Sequence, residues 1–406
     1  KGEDFITLRW DATLAVTHLE YAQVTGIDEN GNSILGEIKT IDLSNAEGFV
    51  KITELQASTS YQFTIYNGTH PRGTRIVSTT NPTPSANMKK YLYQGDALTQ
   101  EDINALASAG SVTYIMEAGM ELVWETLDET TGEMAAIVIP DGLSVTFFGA
   151  SGGEKPTIKS NKTIEIDGNH NYISFENVAF INTGSTYLIN EGNTSSLETL
   201  SFTDCTFDDY SRSIIRLKDN ASISIDNLII DNCVITNQGS DNYACFYWNN
   251  AAYSIANFIM SNTTVNTALH NVMDFRSSNT TNIEIENCTF YNVIGASRYF
   301  LDCQNIAPTI KLTNLIFAKA NTAVLAEGVW TSTSRGVRAN STPTISGVYF
   351  TADFVFGSNA FKPTYEYNNT SENLFTDPEN GNFTIKDSSF DGKNSAGDPR
   401  WYMSAE

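Results

Sequence analysis

The sequence predicts an all-β protein in which an N-terminal β-sandwich is followed by a right-handed parallel β-helix with a short N-terminal capping helix. Short segments of alternating apolar and polar residues fill residues 1–80, and one strand-and-turn pattern recurs seven times further along the 406-residue chain. A short amphipathic segment with helical spacing lies between these two regions. We therefore expect a β-sandwich over residues 1–80, a linker over 81–89, and the β-helix with its cap and C-terminal tail over 90–406.

The N-terminal region has the strand spacing of a β-sandwich, because short alternating segments such as the one from Ile6 to Trp10 are separated by turns. One motif in it is Leu55-x5-Tyr61-x-Phe63-x-Ile65. This motif resembles the tyrosine-corner strand of a fibronectin type III module, and Trp10 matches the core tryptophan of such a module. The resemblance covers residues 1–80 and implies a spacer or docking unit without chemistry of its own.

The segment after the sandwich predicts a linker and then a cap. Residues 78–87 are polar and contain two prolines, which is typical of a linker. Thr99 is a good helix N-cap with acidic residues in the first turn, and Ile103 and Leu106 share one face of the helix that follows. Because the open end of a solenoid exposes apolar residues, we expect residues 90–110 to cover that end.

The repeated pattern reads apolar, polar, small polar, small apolar, any residue, apolar. Its third positions are Asn177, Asp204, Asn232, Asn262, Asn287, Asn314 and Gly347, which lie 27, 28, 30, 25, 27 and 33 residues apart. This spacing fits a coil of three strands in a parallel β-helix. The less regular segments 137–140, 145–149 and 156–158 predict the opening coils, and Trp124 with residues 126–132 predicts a loop near that end.

Stacking of the coils explains why these residue types recur. Asn tolerates the left-handed backbone that a sharp corner needs, and its amide can bond the next Asn along a ladder. Cys205, Cys233 and Cys288 occupy one small position, which predicts buried cysteines rather than reactive ones. The expected aromatic row consists of Phe180, Phe207, Phe290, Phe317 and Phe350, with Ile235 and Val265 filling the same row.

Charge and cysteine content restrict the partners. The chain has 47 Asp and Glu against 24 Lys and Arg, a net charge of -23, so we expect no nucleic-acid partner. Because no run of about 18 apolar residues occurs, we expect no transmembrane segment. The five cysteines are an odd number without close pairs, which argues against a disulfide framework.

Residues from about 110 to 390 resemble the pectate-lyase-like right-handed parallel β-helix superfamily on these repeats. The closing segments, 377–385 and 397–401, resemble the tail of surface lipoproteins from gut-type Gram-negative bacteria. Those proteins pair a fibronectin-like module with β-helix domains of unknown function, and many are encoded beside polysaccharide-utilisation machinery. The resemblance implies a polysaccharide partner, a monomer, and a place outside the cell or on the outer-membrane surface, with a lipid anchor or export signal expected before Lys1.

A second strand recurs in each coil and predicts a polar face. If Ile215, Phe246, Met273 and Leu301 point inward, then one outward column contains Arg216, Tyr247, Asp274 and Asp302. The neighbouring column contains Lys218, Asn249, Arg276 and Gln304. We expect Arg216, Tyr243, Tyr247, Asn249 and Gln304 to bind sugar, because rings stack on aromatics, hydroxyls bond amides, and uronates pair with Arg or Lys.

Three functions remain open at this stage. The first is polysaccharide binding without chemistry. The second is a calcium-assisted uronate lyase, in which Asp274 and Asp302 hold Ca²⁺ and Arg276 or Lys218 is the base. The Arg-x-Pro-x-x-Arg segment typical of such lyases is absent, as are the paired-Asp and Gly-His-Gly motifs of polygalacturonase-like hydrolases. The third is an adhesin or structural interaction protein, for which the same face is only an exposed ladder of opposite charges.

Overall fold

A computed structural model describes residues 4–11, 13–28, 32–44, 46, 48–57, 59–79, 86–124, 135–160, 162–184, 187–218, 221–295, 298–320, 336–337, 343–354 and 365–403. The chain divides into two compact units. The N-terminal unit contains residues 1–85 and 151–154, and the second unit contains residues 86–150 and 155–406. No helix in the described ranges is long and apolar enough to cross a lipid bilayer.

The N-terminal unit is β-sandwich-like. Strands Ile6–Arg9 and Phe49–Ile52 pair antiparallel. A larger antiparallel sheet contains Ser33–Leu35, His18–Ile27, Ser60–Asn67 and His70–Ser78 in that order, with Lys39–Asp42 also paired to His18–Ile27. Its buried core consists of Ile6, Leu19, Leu43, Ile52, Leu55, Tyr61 and Phe63. The predicted sandwich is therefore confirmed.

The residues that carry the fibronectin resemblance lie in this core. The Tyr61 hydroxyl accepts a hydrogen bond from the backbone N–H of Gln56 at 3.0 Å, which is the kind of contact that a tyrosine corner makes. Trp10 is partly buried and packs against the core cluster. Membership in the fibronectin type III family itself stays a prediction.

The second unit is a parallel β-solenoid with three sheets. Each coil between Ser111 and Asp302 adds one strand to each sheet, whereas the described strands of the first and last coils lie in sheets 1 and 2. Sheet 1 contains Met88–Leu92, Ser111–Met116, Ser144–Gly149, Gly168–Glu176, Ser195–Thr203, Ile223–Asp231, Tyr253–Ser261, Asn279–Glu286, Thr309–Thr313 and Thr344–Ser346. Sheet 2 contains Ala97–Leu98, Glu121–Trp124, Thr157–Ser160, Ala179–Asn182, Thr206–Asp208, Val234–Gln238, Thr264–Ala268, Thr289–Val293, Ile316–Ala320, Tyr349–Thr351 and Tyr365–Tyr367. Sheet 3 contains Ile137–Ile139, Ile164–Ile166, Tyr187–Glu191, Ser213–Leu217, Phe246–Tyr247, Met273–Asp274 and Leu301–Asp302.

The corner between sheets 1 and 2 is built as predicted. The repeat positions from Asn177 to Gly347 all adopt left-handed backbone, with φ between 49° and 64°. The side-chain amide of Asn314 donates to Asn287, and that of Asn287 donates to Asn262, at 3.1 and 3.3 Å. The ladder therefore turns the chain and ties neighbouring coils together at the same time.

The interior is formed by rows of equivalent side chains. The predicted aromatic row is confirmed, since Phe180 stacks on Phe207 at 5.2 Å and Phe290 on Phe317 at 5.1 Å between ring centroids. A second row in sheet 1, unpredicted, stacks Tyr114, Phe147, Phe175 and Phe202 at 5.0–5.2 Å. The cysteines at the repeat position are buried and free, as expected. Full burial of each such ring contributes about 1.5–3 kcal/mol to stability.

The capping helix is confirmed, but the solenoid begins earlier than predicted. The helix Gln100–Asn104 has a capping box between Thr99 and Asp102, and Ile103 is fully buried in the solenoid core. The Gln100 side chain exchanges two 2.8 Å hydrogen bonds with the backbone of Val138, so it completes the edge of sheet 3.

Strand Met88–Leu92 already pairs with the next coil, and this corrects the linker prediction, which extended to residue 89. Residues 126–132 lie outside the described residues, whereas Trp124 ends a strand of sheet 2.

The C-terminal tail packs on the outer face of sheet 2. It contains short helices Ser371–Leu374, Pro378–Asn380 and Pro399–Trp401 and an antiparallel pair, Phe375–Asp377 with Asn382–Ile385. Its apolar side chains form a cluster with the outward residues Tyr291 and Ile316. Buried Asp398 accepts a hydrogen bond from Thr264 at 2.7 Å and fixes the last turn.

Candidate functional site

The first of the two predicted outward columns of sheet 3 has the predicted register. Arg216 pairs with Tyr247, Tyr247 with Asp274, and Asp274 with Asp302. The alternate residues are buried, as expected: Ile215, Leu217, Phe246, Trp248, Met273, Phe275, Leu301 and Cys303. The predicted inward set is therefore buried as expected, whereas Asp274 and Asp302, which were expected to point outward, are buried as well.

One end of this face carries interleaved tyrosines and arginines, here called the Tyr–Arg cluster: Tyr187, Arg212, Arg216, Tyr243 and Tyr247. The ring of Tyr243 lies 5.9 Å from that of Tyr187 and 5.5 Å from that of Tyr247, both edge to face. The Arg212 guanidinium lies 4.9 Å from the Tyr243 ring, and the Arg216 guanidinium lies 5.4 Å from the Tyr187 ring. Such cation–π contacts hold both cations in fixed positions.

The two arginines differ in their partners. Arg212 donates to Asp241 at 2.6 Å and to the Tyr187 hydroxyl at 3.0 Å. Arg216 donates only to the neutral Asn190 at 3.3 Å, and it forms no ion pair with a carboxylate in the described part of the chain. Its buried Nε also lacks a hydrogen-bond partner. The charge of Arg216 is therefore available to an anionic group.

Tyr247 and Asn249 continue the face beside the cluster. The Asn249 side-chain amide donates to the Tyr247 hydroxyl at 2.9 Å, so the two predicted sugar-binding residues are brought together. Burial raises the pKa of Tyr247, and the nearby Asp274 carboxylate raises it further. Tyr247 is therefore a neutral hydroxyl at ordinary pH. Gln304 is only partly buried, after the strand Leu301–Asp302.

The other end of the face is an internal ion-pair group. Asp274 and Asp302 are 2% and 0% exposed, and the Arg276 Nε lies 2.8 Å from Asp274 and 4.0 Å from Asp302. Asp302 also accepts the backbone N–H of Gly336 at 3.0 Å. Burial lowers the pKa of Arg276, but the two carboxylates outweigh burial and leave that pKa raised.

This geometry is unfavourable to the predicted lyase chemistry. A raised pKa makes Arg276 a poorer proton acceptor. The guanidinium also offsets part of the charge of the two carboxylates that were expected to hold Ca²⁺, and no group of three or more Asp, Glu, His or Cys suited to a metal occurs among the described residues. The other predicted base, Lys218, has a different partner from Arg276. Its Nζ lies 3.6 Å from the Glu165 carboxylate. The catalytic and metal assignments stay predictions.

Sequence reasoning missed Tyr187, Arg212 and Glu191. Strand Tyr187–Glu191 pairs with Ser213–Leu217, one coil before the first second-strand segment that was recognised. Its residues Leu188 and Ile189 are both buried, so the alternation that signals a strand is broken. Burial raises the pKa of Glu191 to about 7, although its carboxylate accepts backbone N–H bonds from Asn193 and Ile166.

Comparison with known proteins gives a match to a family model over part of the chain, and this match indicates no activity. A family model described as a domain of unknown function, DUF5123, matches residues 283–401. The match therefore contains the last coils and the tail up to Trp401, and it spans less than a third of the chain. No curated protein matches the chain.

Proposed function

We propose that the protein binds polysaccharide on the outward face of sheet 3, with the Tyr–Arg cluster as the contact region. The observation that carries this proposal is Arg216, which forms no ion pair with a carboxylate of the described residues and whose guanidinium lies 5.4 Å from the Tyr187 ring and 6.0 Å from the Tyr243 ring. Aromatic rings, a free guanidinium and amides together suit a sugar polymer.

The same observation favours an acidic sugar. A carboxylate binds a guanidinium through charge-assisted hydrogen bonds, which are about twice as strong as neutral ones. Tyr243 and Tyr247 are partly exposed beside Arg216 and offer ring faces or edges to a sugar. The ligand proposed is therefore a polysaccharide with uronic-acid units.

Binding without turnover is favoured over elimination. The base and metal positions needed by a lyase are joined in an internal ion-pair group. The resemblance of residues 377–401 to surface lipoprotein tails supports a role in glycan capture outside the cell. Calcium-assisted elimination is the alternative against which this proposal is tested.

The test compares Arg216→Gln with Lys311→Gln, a matched loss of charge on sheet 1, where Lys311 pairs with Glu284. Titration calorimetry with trigalacturonate, and with other acidic trisaccharides, measures the affinity. Loss of a charge-assisted contact is expected to weaken binding of the Arg216 variant about tenfold or more. The control variant should bind like wild type.

Three results contradict the proposal. Equal affinity of both variants would place the ligand elsewhere. No binding of any acidic or neutral glycan would favour an adhesin. A rise in ultraviolet absorbance from unsaturated ends, dependent on Ca²⁺, would establish the lyase instead.

A further inference from the structure

A groove lies in the N-terminal unit between strands Ile6–Arg9 and His70–Ser78, and it is here called the sandwich groove. Its volume is about 190 Å³, and its lining includes Leu8, Trp10, Phe63, Ile65, Gly73 and Arg75. Phe63 is buried in the groove, whereas Arg75 is exposed. A small-ligand site usually has about 300–1,000 Å³, so this groove is better suited to the side chains of an added peptide strand.

The groove is a gap in the packing of the sandwich. Phe63 pairs with Arg75 and Ile65 pairs with Gly73, so Arg75 and Gly73 occupy inward-facing positions of their strand. A Cβ added at Gly73 would meet no atom within 4 Å. Inner faces of a sandwich normally interdigitate through side chains, but here an open space lies beside a charged residue.

Strand Ile6–Arg9 has a free edge beside the groove. Among the described strands it pairs only with Phe49–Ile52. The Trp10 backbone N–H donates to Gly48 at 2.9 Å on that side. Because backbone groups alternate in direction along an antiparallel strand, those of Thr7 and Arg9 point to the opposite edge. Unpaired groups of this kind are a template for another strand.

The edge of strand His70–Ser78 is less suited to pairing. It contains Pro71, which has no N–H, and two arginines, Arg72 and Arg75. Strand Ile6–Arg9 contains no proline and has an arginine only at its end. An added strand is therefore placed along Ile6–Arg9.

The charge of the groove selects an acidic occupant. Arg9 and Arg75 line it, and no Asp or Glu of the described residues does. The Arg75 side chain forms no ion pair with a described carboxylate. Although the whole chain has a net charge of -23, the local charge at this groove attracts a carboxylate.

We propose that the sandwich groove binds an extended, acidic peptide segment of a partner protein as an added strand along Ile6–Arg9. The peptide backbone pairs with Thr7 and Arg9, an apolar side chain packs on Trp10, and a carboxylate side chain reaches Arg75. In strand addition, backbone hydrogen bonds supply affinity and alternate side chains supply specificity. The inference does not rest on glycan binding, because sheet 3 belongs to the second unit.

The first test measures the charge contact. Short fluorescein-labelled peptides that alternate threonine and valine, with glutamate replacing each valine in turn, are titrated with the full chain, and their fluorescence anisotropy is followed. The tightest peptide is expected to bind about twofold to fivefold more tightly than the same peptide with glutamine. Arg75→Gln should abolish this preference. Arg72→Gln removes the same charge from the same strand outside the groove, and it should keep the preference.

The second test fills the groove. Gly73→Val places a side chain in the open space and should weaken peptide binding at least tenfold. The Gly73 backbone is not left-handed and valine favours strands, so the melting temperature should stay the same or rise. Gly26→Val is the matched control, because Gly26 does not line the groove and a Cβ there makes an ordinary contact with Ile34 at 3.5 Å.

Exchange of the backbone amide hydrogens tests whether a strand is added. The amides of Thr7 and Arg9 should exchange more slowly when the peptide is bound. Unchanged exchange would overturn the proposal, and so would a glutamate preference that survives in Arg75→Gln or equal affinity of Gly73→Val and wild type.

Failure of all these peptides to bind would also overturn it. A dimer in sedimentation that Gly73→Val dissociates would then assign the groove to a second copy of the chain.

Discussion

At the scale of single residues, the partners of a charge matter more than its type. Arg216 lies in a strand of sheet 3 and Arg276 lies two residues after another, and the sequence predicted Arg216 as a sugar contact and Arg276 as a base. Arg276 is held by two buried carboxylates, whereas Arg216 contacts only a neutral amide and tyrosine rings. This difference in partners is the reason that the proposed ligand contact is placed at Arg216 and not at Arg276.

The surroundings of Glu191 likewise decide its charge, because burial raises its pKa. This raised pKa predicts that the stability of the protein depends on pH. Burial raises its pKa to about 7 from an ordinary value near 4.5. The protonated form is favoured in the folded state, so its contribution is complete below pH of about 4.5 and is lost as the pH rises through 7. The shift corresponds to on the order of 3 kcal/mol in the free energy of unfolding.

Glu191→Gln is expected to remove this dependence. The free energy of unfolding of the variant, relative to wild type, should increase between pH of about 4.5 and 7 and then become constant. Urea titrations at several pH values measure it, with Glu366→Gln, an exposed position, as the control. Parallel profiles for wild type and Glu191→Gln would contradict a buried, protonated Glu191.

At the scale of elements, the solenoid was predictable where one local rule recurs. The left-handed corner from Asn177 to Gly347 and the aromatic row in sheet 2 follow from residue type and spacing alone. The first coil, Met88–Leu92 with Ala97–Leu98, was missed because it lacks the corner Asn.

The Tyr–Arg cluster was harder to predict, because it joins residues of three coils. Tyr187 lies in a strand whose buried and exposed residues do not alternate.

The Asn ladder gives a prediction at this scale. Asn287 has φ of 52°, donates to Asn262 and accepts from Asn314. Asn287→Gly keeps the backbone but loses both side-chain bonds, at a cost of about 1–3 kcal/mol. Asn287→Ala loses the same bonds and adds about 1–2 kcal/mol of left-handed strain.

Melting temperatures should therefore fall in the order wild type, Asn287→Gly, Asn287→Ala. This order is opposite to that expected inside a regular strand, where glycine is the less favourable residue. Scanning calorimetry of the three proteins at one pH measures the melting temperatures and decides between the two orders. A more stable alanine variant would mean that the corner relaxes out of the left-handed region.

At the scale of the whole molecule, the net charge of -23 opposes the acidic ligand that Arg216 favours. The repulsion acts over the Debye length, which is about 30 Å at 0.01 M salt and about 8 Å at 0.15 M. Arg216 is partly buried, so salt would screen the proposed short contact with a ligand carboxylate less. Long-range repulsion should therefore weaken with salt before the contact does.

Trigalacturonate is accordingly expected to bind about two to five times more tightly at 0.15 M than at 0.01 M NaCl, because the repulsive field is screened first. Calorimetry at the two salt concentrations, with Arg216→Gln in parallel, measures this gain. The variant should bind trigalacturonate weakly but keep the same gain with salt, because the gain comes from the net charge of the whole chain. Binding that weakens steadily as salt is added would mean that local cations dominate, and the acidic surface would then be no barrier to a polyanionic partner.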